Sequence, residues 1–591
     1  MNISLKDKLP LTGEGVGLSF EDVNYAYDGG LYAELLENAN FEACDVQGTL
    51  KEYQSKNDGA FAWSATGSDA ILKIKTDRPA FAENPHYLRL TVRKAGEGIE
   101  NHAYGGIFCP KGAKYRLSFY VRSYDYRGKL EVRIANDGAV AFAKKFACRA
   151  DGKWHKYEVR FKSKCDLEGG VFTLSMTGVG AVHLDYFSLM PENAIKKVFR
   201  RDLAELLHDF KPGIVRFPVG CSVRESDCVR WKKTIVERER RSYHANGWAL
   251  YGGTPENGYH TPYSHYGQSA GIGCFECFLL SEYLGAKPVP VLGASIFRND
   301  EPDVPTEGED FDSCVQDMLD LISFACDPVD TEWGRVRAGL GHPRPFALEY
   351  FALGAQWRNN ADQVVSLCKR VHDVYPDIKI ISPSQEPLDG VYAVDEQLFL
   401  TPRQLFERAD RLEGLQTQTS IGAYAADTDA WEGALAEAAL LTAMERNADK
   451  ICMSAYAPLF GRHGYTQFGR ALIRFNSESV QPTANYYVQQ LFRLYTGNVI
   501  LQTSADEGDV YCSATEREGL IFVKLVNVSD EERTVTFAEA FGELTRIVCM
   551  SADLTADGTT GDILPLDVAP TAPDRVTVKA NSFSVLTFRK K

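Results

Sequence analysis

Residues Arg201–Pro218 read RDLAELLHDFKPGIVRFP. Arg201–Phe210 carries apolar side chains at helical spacing, and Ile214–Pro218 is a short apolar run that follows as a strand. The same pairing recurs along the chain. Gly271–Gly285 is helical and precedes Pro288–Gly293, and a helix near 311–325 precedes a strand over Phe346–Gly354. Ala361–Val374 precedes Ile378–Ser382. Then come a strand at Val391–Leu398, a helix at Arg403–Glu413, a strand at Thr417–Ala425, a helix at Gly433–Arg446 and a strand at Lys450–Ala457. With Gly17–Phe20 as the first strand, eight strands alternate with helices. Over ~250–300 residues this predicts an α/β fold, a (β/α)8 TIM barrel.

The texture differs on either side. Residues 1–43 hold the first barrel strand and end in GGLYAELLENANFE, which reads as a strand-like start and an acidic helical patch. Residues 44–192 are short alternating runs of β-branched and aromatic residues, such as YLRLTVRK, YRLSFYVRS and KYEVRFK, separated by Gly, Asp and Asn turns. They predict a β-sandwich inserted between the first and second barrel strands. The barrel resumes over 193–497, and 498–591 turns strand-rich again, predicting a C-terminal β-sandwich.

The 591 residues, 44% hydrophobic and 25% charged, have the balance of a soluble globular protein with room for several cores. The net charge of −15 argues against nucleic acid, whose binders need basic surface. No run of ~18 apolar residues occurs, so no membrane helix is expected, and the N-terminus has no secretory pattern. The 14 cysteines are scattered, which reads as free thiols in a reducing, cytoplasmic setting. The Cys274-Phe-Glu-Cys277 pair lacks a second metal-ligand pair and reads as packing. Walker and HExxH motifs are absent from the sequence, and no cofactor is expected.

A barrel does its chemistry at the C-terminal ends of its strands. Those ends offer Glu21 and Asp22, Arg216 and Cys221, Gln356 and Trp357, Glu386, the run Asp395-Glu396-Gln397, Ala423 and Tyr424, and finally Ser454 and Tyr456. Aromatics mixed with amides and carboxylates suit a sugar.

Several segments resemble glycoside hydrolase family 51, mainly retaining α-L-arabinofuranosidases. They are FEDVNYAYDGGLYAELLENANFE (20–42), RRDLAELLHDFKPGIVRFPVGC (200–221), RWKKTI (230–235), MERNADKICMSAYAPLF (444–460) and QPTANYYVQQLF (481–492). The resemblance implies a (β/α)8 barrel, a C-terminal β-sandwich, a carbohydrate partner bearing arabinofuranosyl or related sugars, and homo-oligomers of unspecified size. It also implies two catalytic glutamates: an acid/base in a Gly-Asn-Glu-x-Trp pattern ending strand four, and a nucleophile in a Gly-Glu-Tyr-Ala pattern ending strand seven. Retaining hydrolysis needs both, with carboxyls ~5–5.5 Å apart.

This chain departs from that pattern. Strand four reads Gly354-Ala355-Gln356-Trp357, with Gln356 at the acid/base position and Ala355 for Asn. Gln has no titratable proton to give. Strand seven reads Gly422-Ala423-Tyr424-Ala425, with Ala423 at the nucleophile position. Strand six has Gln397 and Phe399 where the family carries His and a sugar-contacting Tyr. Glu21, Cys221 and Tyr424 match substrate-side positions of the family, and Trp357 matches loosely. Three readings follow: a naturally diverged member without retaining activity, a deliberately inactivated chain, and an active enzyme with relocated carboxylates. Five departures around one site favour natural divergence. For relocation, Glu386 and Glu396 stand nearest by strand position, with Asp395 behind them.

Other residues carry two readings each. Glu21 bonds a sugar hydroxyl or caps a loop; Trp357 walls the pocket or fills the core. Cys221 packs or reacts, and Glu276 points to the pocket or to solvent. His244, His260 and His265 lie in an aromatic-rich loop, but spacings of 16 and 5 fit no common zinc pattern, so no metal is expected. The sandwich insert binds polysaccharide or serves as a spacer.

Overall fold

The computed structural model describes residues 2–44, 60–220, 231–245, 267–293, 296–298, 301–303, 308–412, 414–464, 469–505 and 510–590. Eight parallel strands close a barrel: β1 (Val16–Ser19), β2 (Ile214–Gly220), β3 (Lys287–Gly293), β4 (Tyr350–Leu353), β5 (Lys379–Ser382), β6 (Ala393–Leu400), β7 (Thr419–Ala426) and β8 (Ile451–Tyr456). β8 closes on β1 through Val16↔Ser454 and Leu18↔Tyr456. The predicted (β/α)8 TIM barrel is therefore present.

Helices surround it: α1 (Arg201–Phe210), α2 (Cys274–Leu284), α3 (Gly308–Cys326), α4 (Ala361–His372), α5 (Pro402–Arg411), α6 (Trp431–Arg446) and α7 (Ala484–Leu494). Local sequence explains their starts. Thr401 caps α5, accepting from the Gln404 amide at 3.3 Å while Gln404 Oε1 accepts from the Thr401 amide at 3.0 Å. Inside the barrel, Ile214, Val289, Tyr350, Ile381, Ala393 and Met453 pack into one cluster. A larger cluster fills the space between strands and helices.

Between β1 and β2 the insert forms two antiparallel sheets. One orders Ala139–Ala147, Lys129–Asn136, Leu167–Met176, Gly98–Asn101 and Trp63–Ala65, with Ile107–Cys109 alongside. The other orders His155–Lys162, Lys114–Arg122, Gly180–Pro191, Tyr87–Val92 and Ala70–Lys75. Their alternating inner residues meet around Trp63, Phe119, Phe172 and Phe187, with Phe119 stacked on Phe187 at 5.3 Å. The stretch expected as an acidic helical patch is not helical. Residues 32–44 run as turns, with Asn38 and Phe41 at positive φ. Asn38 explains this: its side chain accepts from the Ala43 amide at 3.0 Å and donates to the Phe61 carbonyl at 2.8 Å, competing with a helix ladder.

The C-terminal sheet follows one hydrogen-bonded path of nine strands. Val535 and Val578 near one end share a buried cluster with Ile547 and Leu586 near the other, so the sheet curls around its own core. Residues Asn2–Pro10 lie in this sheet, antiparallel to Val499–Ala505 and parallel to Arg533–Phe537. The chain's first strand therefore belongs with its last domain, not with the barrel strand that follows it.

A buried ion pair ties α6 to this sheet. Lys524, fully buried, donates to Glu445 Oε1 at 2.6 Å, and Ser513 donates to Glu445 Oε2 at 2.6 Å. Burial pulls the Lys524 ammonium below its usual range, and Glu445 opposes this. Removing one partner leaves a buried unpaired charge. Lys524→Ala is expected to destabilise the protein by about 3–5 kcal/mol, while Lys524→Met with Glu445→Leu costs much less. Chemical denaturation of the two variants checks this.

Candidate active site

Along β6, successive side chains alternate between the barrel interior and the helical layer. Asp395 points inward. Arg216, from β2, points inward as well and donates from Nη2 to Asp395 Oδ2 at 2.9 Å. Both residues are buried. Burial raises the Asp395 carboxyl, opposed by Arg216 and by hydrogen bonds from Ser420 and Gly422. Glu21, just past β1, accepts from Ser19 Oγ at 3.4 Å. Burial raises its carboxyl too, and the Arg216 charge pulls it back. The interior end of the site is thus one arginine shared electrostatically by two carboxylates.

β7 makes room for that pair. A register shift sets Glu396 opposite Ile421 but Gln397 opposite Ala423, leaving Gly422 as the extra residue of a bulge. A Cβ on Gly422 would fall 1.8 Å from Arg216 Nη1 and 2.5 Å from Asp395 Oδ1. Only glycine admits the ion pair there. Ala423, the next residue, is buried.

Gln356 sits in the 3-10 turn Ala355–Asn359 that follows β4. Its amide folds over the ends of β3 and β4: a Cβ on Gly354 would meet Gln356 Oε1 at 2.3 Å, and one on Gly293 would meet Nε2 at 3.6 Å. Gln356 Oε1 is buried and has no hydrogen-bond partner among the described residues. Ala355 is exposed. On β6, Gln397 and Phe399 share the face of Asp395 and lead outward; Phe399 is 42% exposed, with the Arg470 guanidinium 5.3 Å from its ring centroid.

Other sequence-derived candidates do not join this group. Glu396 points away from the interior and pairs with Arg408 of α5 at 2.6 Å, so the alternation of β6 removes it as a replacement carboxylate. Glu386 is exposed past β5 and forms no ion pair among the described residues. Trp357 is fully buried in the core cluster, because the 3-10 turn drives its ring back between strand and helix; it does not wall a pocket. Tyr424 is buried as well, and its hydroxyl donates to Gln489 of α7. The bulge at Gly422 sends it to the helical layer, where Glu437 accepts from Asn485 at 2.8 Å and Gln489 at 3.1 Å. Glu276 is a structural anchor. It accepts from the Gly273 amide at 2.9 Å at the start of α2 and pairs twice with Arg241 at 2.9 Å.

Cys221, His260 and His265 lie outside the described residues, as does the side chain of His244. Cys274 and Cys277 are buried, and burial raises both thiols. Among the described residues no group of three or more His, Cys, Asp or Glu could hold a metal ion. Strand-end position alone offers Arg216 and Asp395 without pairing them, and places Glu396 ahead of Asp395. Period-two alternation from the interior residue Ala393 was the available signal.

Comparison with known proteins agrees with this architecture. Family models match for the α-L-arabinofuranosidase 1 domain over residues 206–417 and the α-L-arabinofuranosidase C-terminal domain over 416–589. An extracellular exo-α-L-arabinofuranosidase of Streptomyces chartreusis is 31% identical over 83% of this chain and 60% of its own length. The chain thus spans about 60% of that relative's length. α-L-Arabinofuranosidase 2 of Arabidopsis thaliana is 31% identical over 87% of this chain and 78% of its own. Among solved structures, the arabinose-bound α-L-arabinofuranosidase MgGH51 superposes with a TM-score of 0.88 at 22% identity, covering all of both chains. The Thermotoga maritima enzyme gives 0.53 at 14% identity, covering 66% of this chain and 90% of its own. The chain is of the arabinofuranosidase class of (β/α)8 proteins. It belongs to glycoside hydrolase family 51.

Two outcomes follow from the geometry. Arg216→Ala leaves Asp395 buried and unpaired and is expected to cost about 3–5 kcal/mol in denaturation. Burial raises Glu437 to about 7 against an ordinary carboxylate value, despite three donors. A raised carboxyl stabilises the fold fully below the unfolded value and loses that contribution as pH rises through the folded value. Thermal stability should therefore fall between about pH 4.5 and pH 7. Glu437→Gln should flatten that fall, as read by calorimetry across the range.

Proposed function

We propose that this chain binds an α-L-arabinofuranosyl-containing glycan at the barrel mouth and does not carry out the retaining hydrolysis of its family. One observation carries the reading: Gln356 and Ala423 occupy the positions where the family pattern has its two glutamates. An amide cannot deliver a proton to the leaving oxygen, and a methyl group cannot attack the anomeric carbon. The carboxylates that remain inside are engaged electrostatically. Asp395 is paired to Arg216, and Glu21 is held near the same guanidinium, so neither is a free nucleophile. The exposed face of Phe399 and the amide of Gln397 leave a polar and aromatic surface that suits sugar contact.

A second reading, an active glycosidase with relocated carboxylates, is favoured by one feature. Glu21 and Asp395 are inward carboxyls raised by burial, as a general acid requires. It would rest on these two rather than on Glu386 or Glu396. A reducing, cytoplasmic setting is part of the proposal, supported by the absence of any disulfide among the twelve described cysteines.

Hydrolysis of an aryl α-L-arabinofuranoside decides between the readings. A good leaving group lowers the need for the missing acid but not for the missing nucleophile. Turnover at the buffer blank, with arabino-oligosaccharide binding by calorimetry, is the expected result. Gln356→Glu with Ala423→Glu should then restore turnover, and neither change alone should come within about 10²-fold of the pair. Parent turnover abolished by Asp395→Asn or Glu21→Gln overturns the proposal, and glutamate codons at 356 and 423 in the source gene overturn natural divergence.

A further inference from the structure

The insert carries a groove of its own, remote in sequence from the barrel strand ends. It lies on the outer face of the sheet formed by Ala70–Lys75, Tyr87–Val92, Gly180–Pro191 and Lys114–Arg122. Strand register sets Lys73 opposite Arg89, Arg89 opposite His183, and His183 opposite Arg122. A row of basic residues thus crosses four strands on one face, although like charges directly opposite one another cost a sheet stability. Lys75, Arg78, Arg89 and Arg122 line the groove, so four cations face only Asp77 and Asp125 in a chain whose net charge is −15. None of the four forms a salt bridge among the described residues.

Arg122 is held rigidly by neutral partners. It donates to His183 Nδ1 at 3.1 Å, to the Tyr87 hydroxyl at 2.9 Å and to the Arg78 carbonyl. Burial and the flanking Arg122 and Arg89 charges push His183 down to about 4, so it is neutral at pH 7 and keeps its proton on Nε2. Asp77 is occupied, accepting from the Tyr87 hydroxyl at 3.1 Å. Tyr124 is 42% exposed, and its ring centroid lies 5.6 Å from the Arg78 guanidinium and 5.7 Å from that of Arg122. The groove measures about 480 Å³, within the ~300–1,000 Å³ of ligand clefts.

We infer that this groove is a second saccharide site, which takes an oligosaccharide bearing uronate carboxylates. The exposed guanidiniums of Arg78 and Arg89 match a carboxylate bidentately, and the exposed part of Tyr124 beside them offers apolar contact to a pyranose ring. A neutral glycan would leave the row of cations uncompensated. A small inorganic anion would leave the ring and most of the volume unused.

Calorimetric titration of the full chain with trigalacturonate, its trimethyl ester and inorganic phosphate tests the assignment. Trigalacturonate should bind at least about tenfold more tightly than the ester or phosphate, and more weakly as salt rises. Arg89 and Tyr124 are exposed, so Arg89→Gln and Tyr124→Ala should fold normally, yet each should weaken trigalacturonate by roughly fivefold or more. Equal affinity for acid and ester, phosphate binding as tight as the trisaccharide, no binding of trigalacturonate, or variants that bind like the parent would each overturn it.

Discussion

Everything in this molecule hangs on the seam where β8 meets β1. β1 is only four residues long, yet it pairs with β2 on one side and β8 on the other. Its partners on β8 are almost the whole barrel away in sequence. Close approach is needed on both sides of β1: a Cβ on Gly13, just before it, would fall 2.5 Å from the Ile451 carbonyl oxygen of β8, and one on Gly17 would fall 2.2 Å from Ile214 Cγ1 of β2. The insert attaches between β1 and β2. Chain leaves and returns at one point, where Tyr32 bridges Phe199, the Ala33 amide donates to Val198, and the Arg200 amide donates to Leu31. An inserted domain with adjacent ends leaves the host barrel's register intact.

Further contacts hold the insert against the barrel. Asn84 donates to the Arg241 carbonyl at 2.7 Å, and Arg462 reaches the Gly29 and Tyr104 carbonyls. At the other end, α6 is buried over most of its length and meets the C-terminal sheet through Lys524–Glu445 and through Trp431, which donates to the Asn581 carbonyl at 2.8 Å. The strand Asn2–Pro10 adds a covalent tie, since it leads directly from that sheet into β1. The barrel is thus braced by both flanking domains, and its strand ends are held by packing as well as by their own hydrogen bonds.

That bracing fixes the chemistry of the interior. Arg216 and Asp395 neutralise each other beneath the bulge of β7, and Gly422 is the residue that lets them meet. A buried pair of this kind is weak evidence for stability, because desolvation offsets most of the attraction. Its consequence is positional. It engages Asp395, an inward carboxylate of the barrel, in an ion pair with Arg216.

Sequence alone settled the alternation of eight strands with helices, the strand-rich insert, and the family to which the chain belongs. Those properties follow from local periodicity and from side chains that stand at fixed places in the chain. The identities of Gln356 and Ala423 were equally legible, since a residue type needs no coordinates. Only the tertiary structure decided which way each side chain points. Asp395 turns inward and Glu396 outward because of strand phase; Tyr424 turns to the helices because a one-residue bulge resets that phase; Trp357 enters the core because a 3-10 turn follows β4. The pairing of the first strand with the C-terminal sheet was likewise hidden, because β-pairing joins residues that share no local pattern.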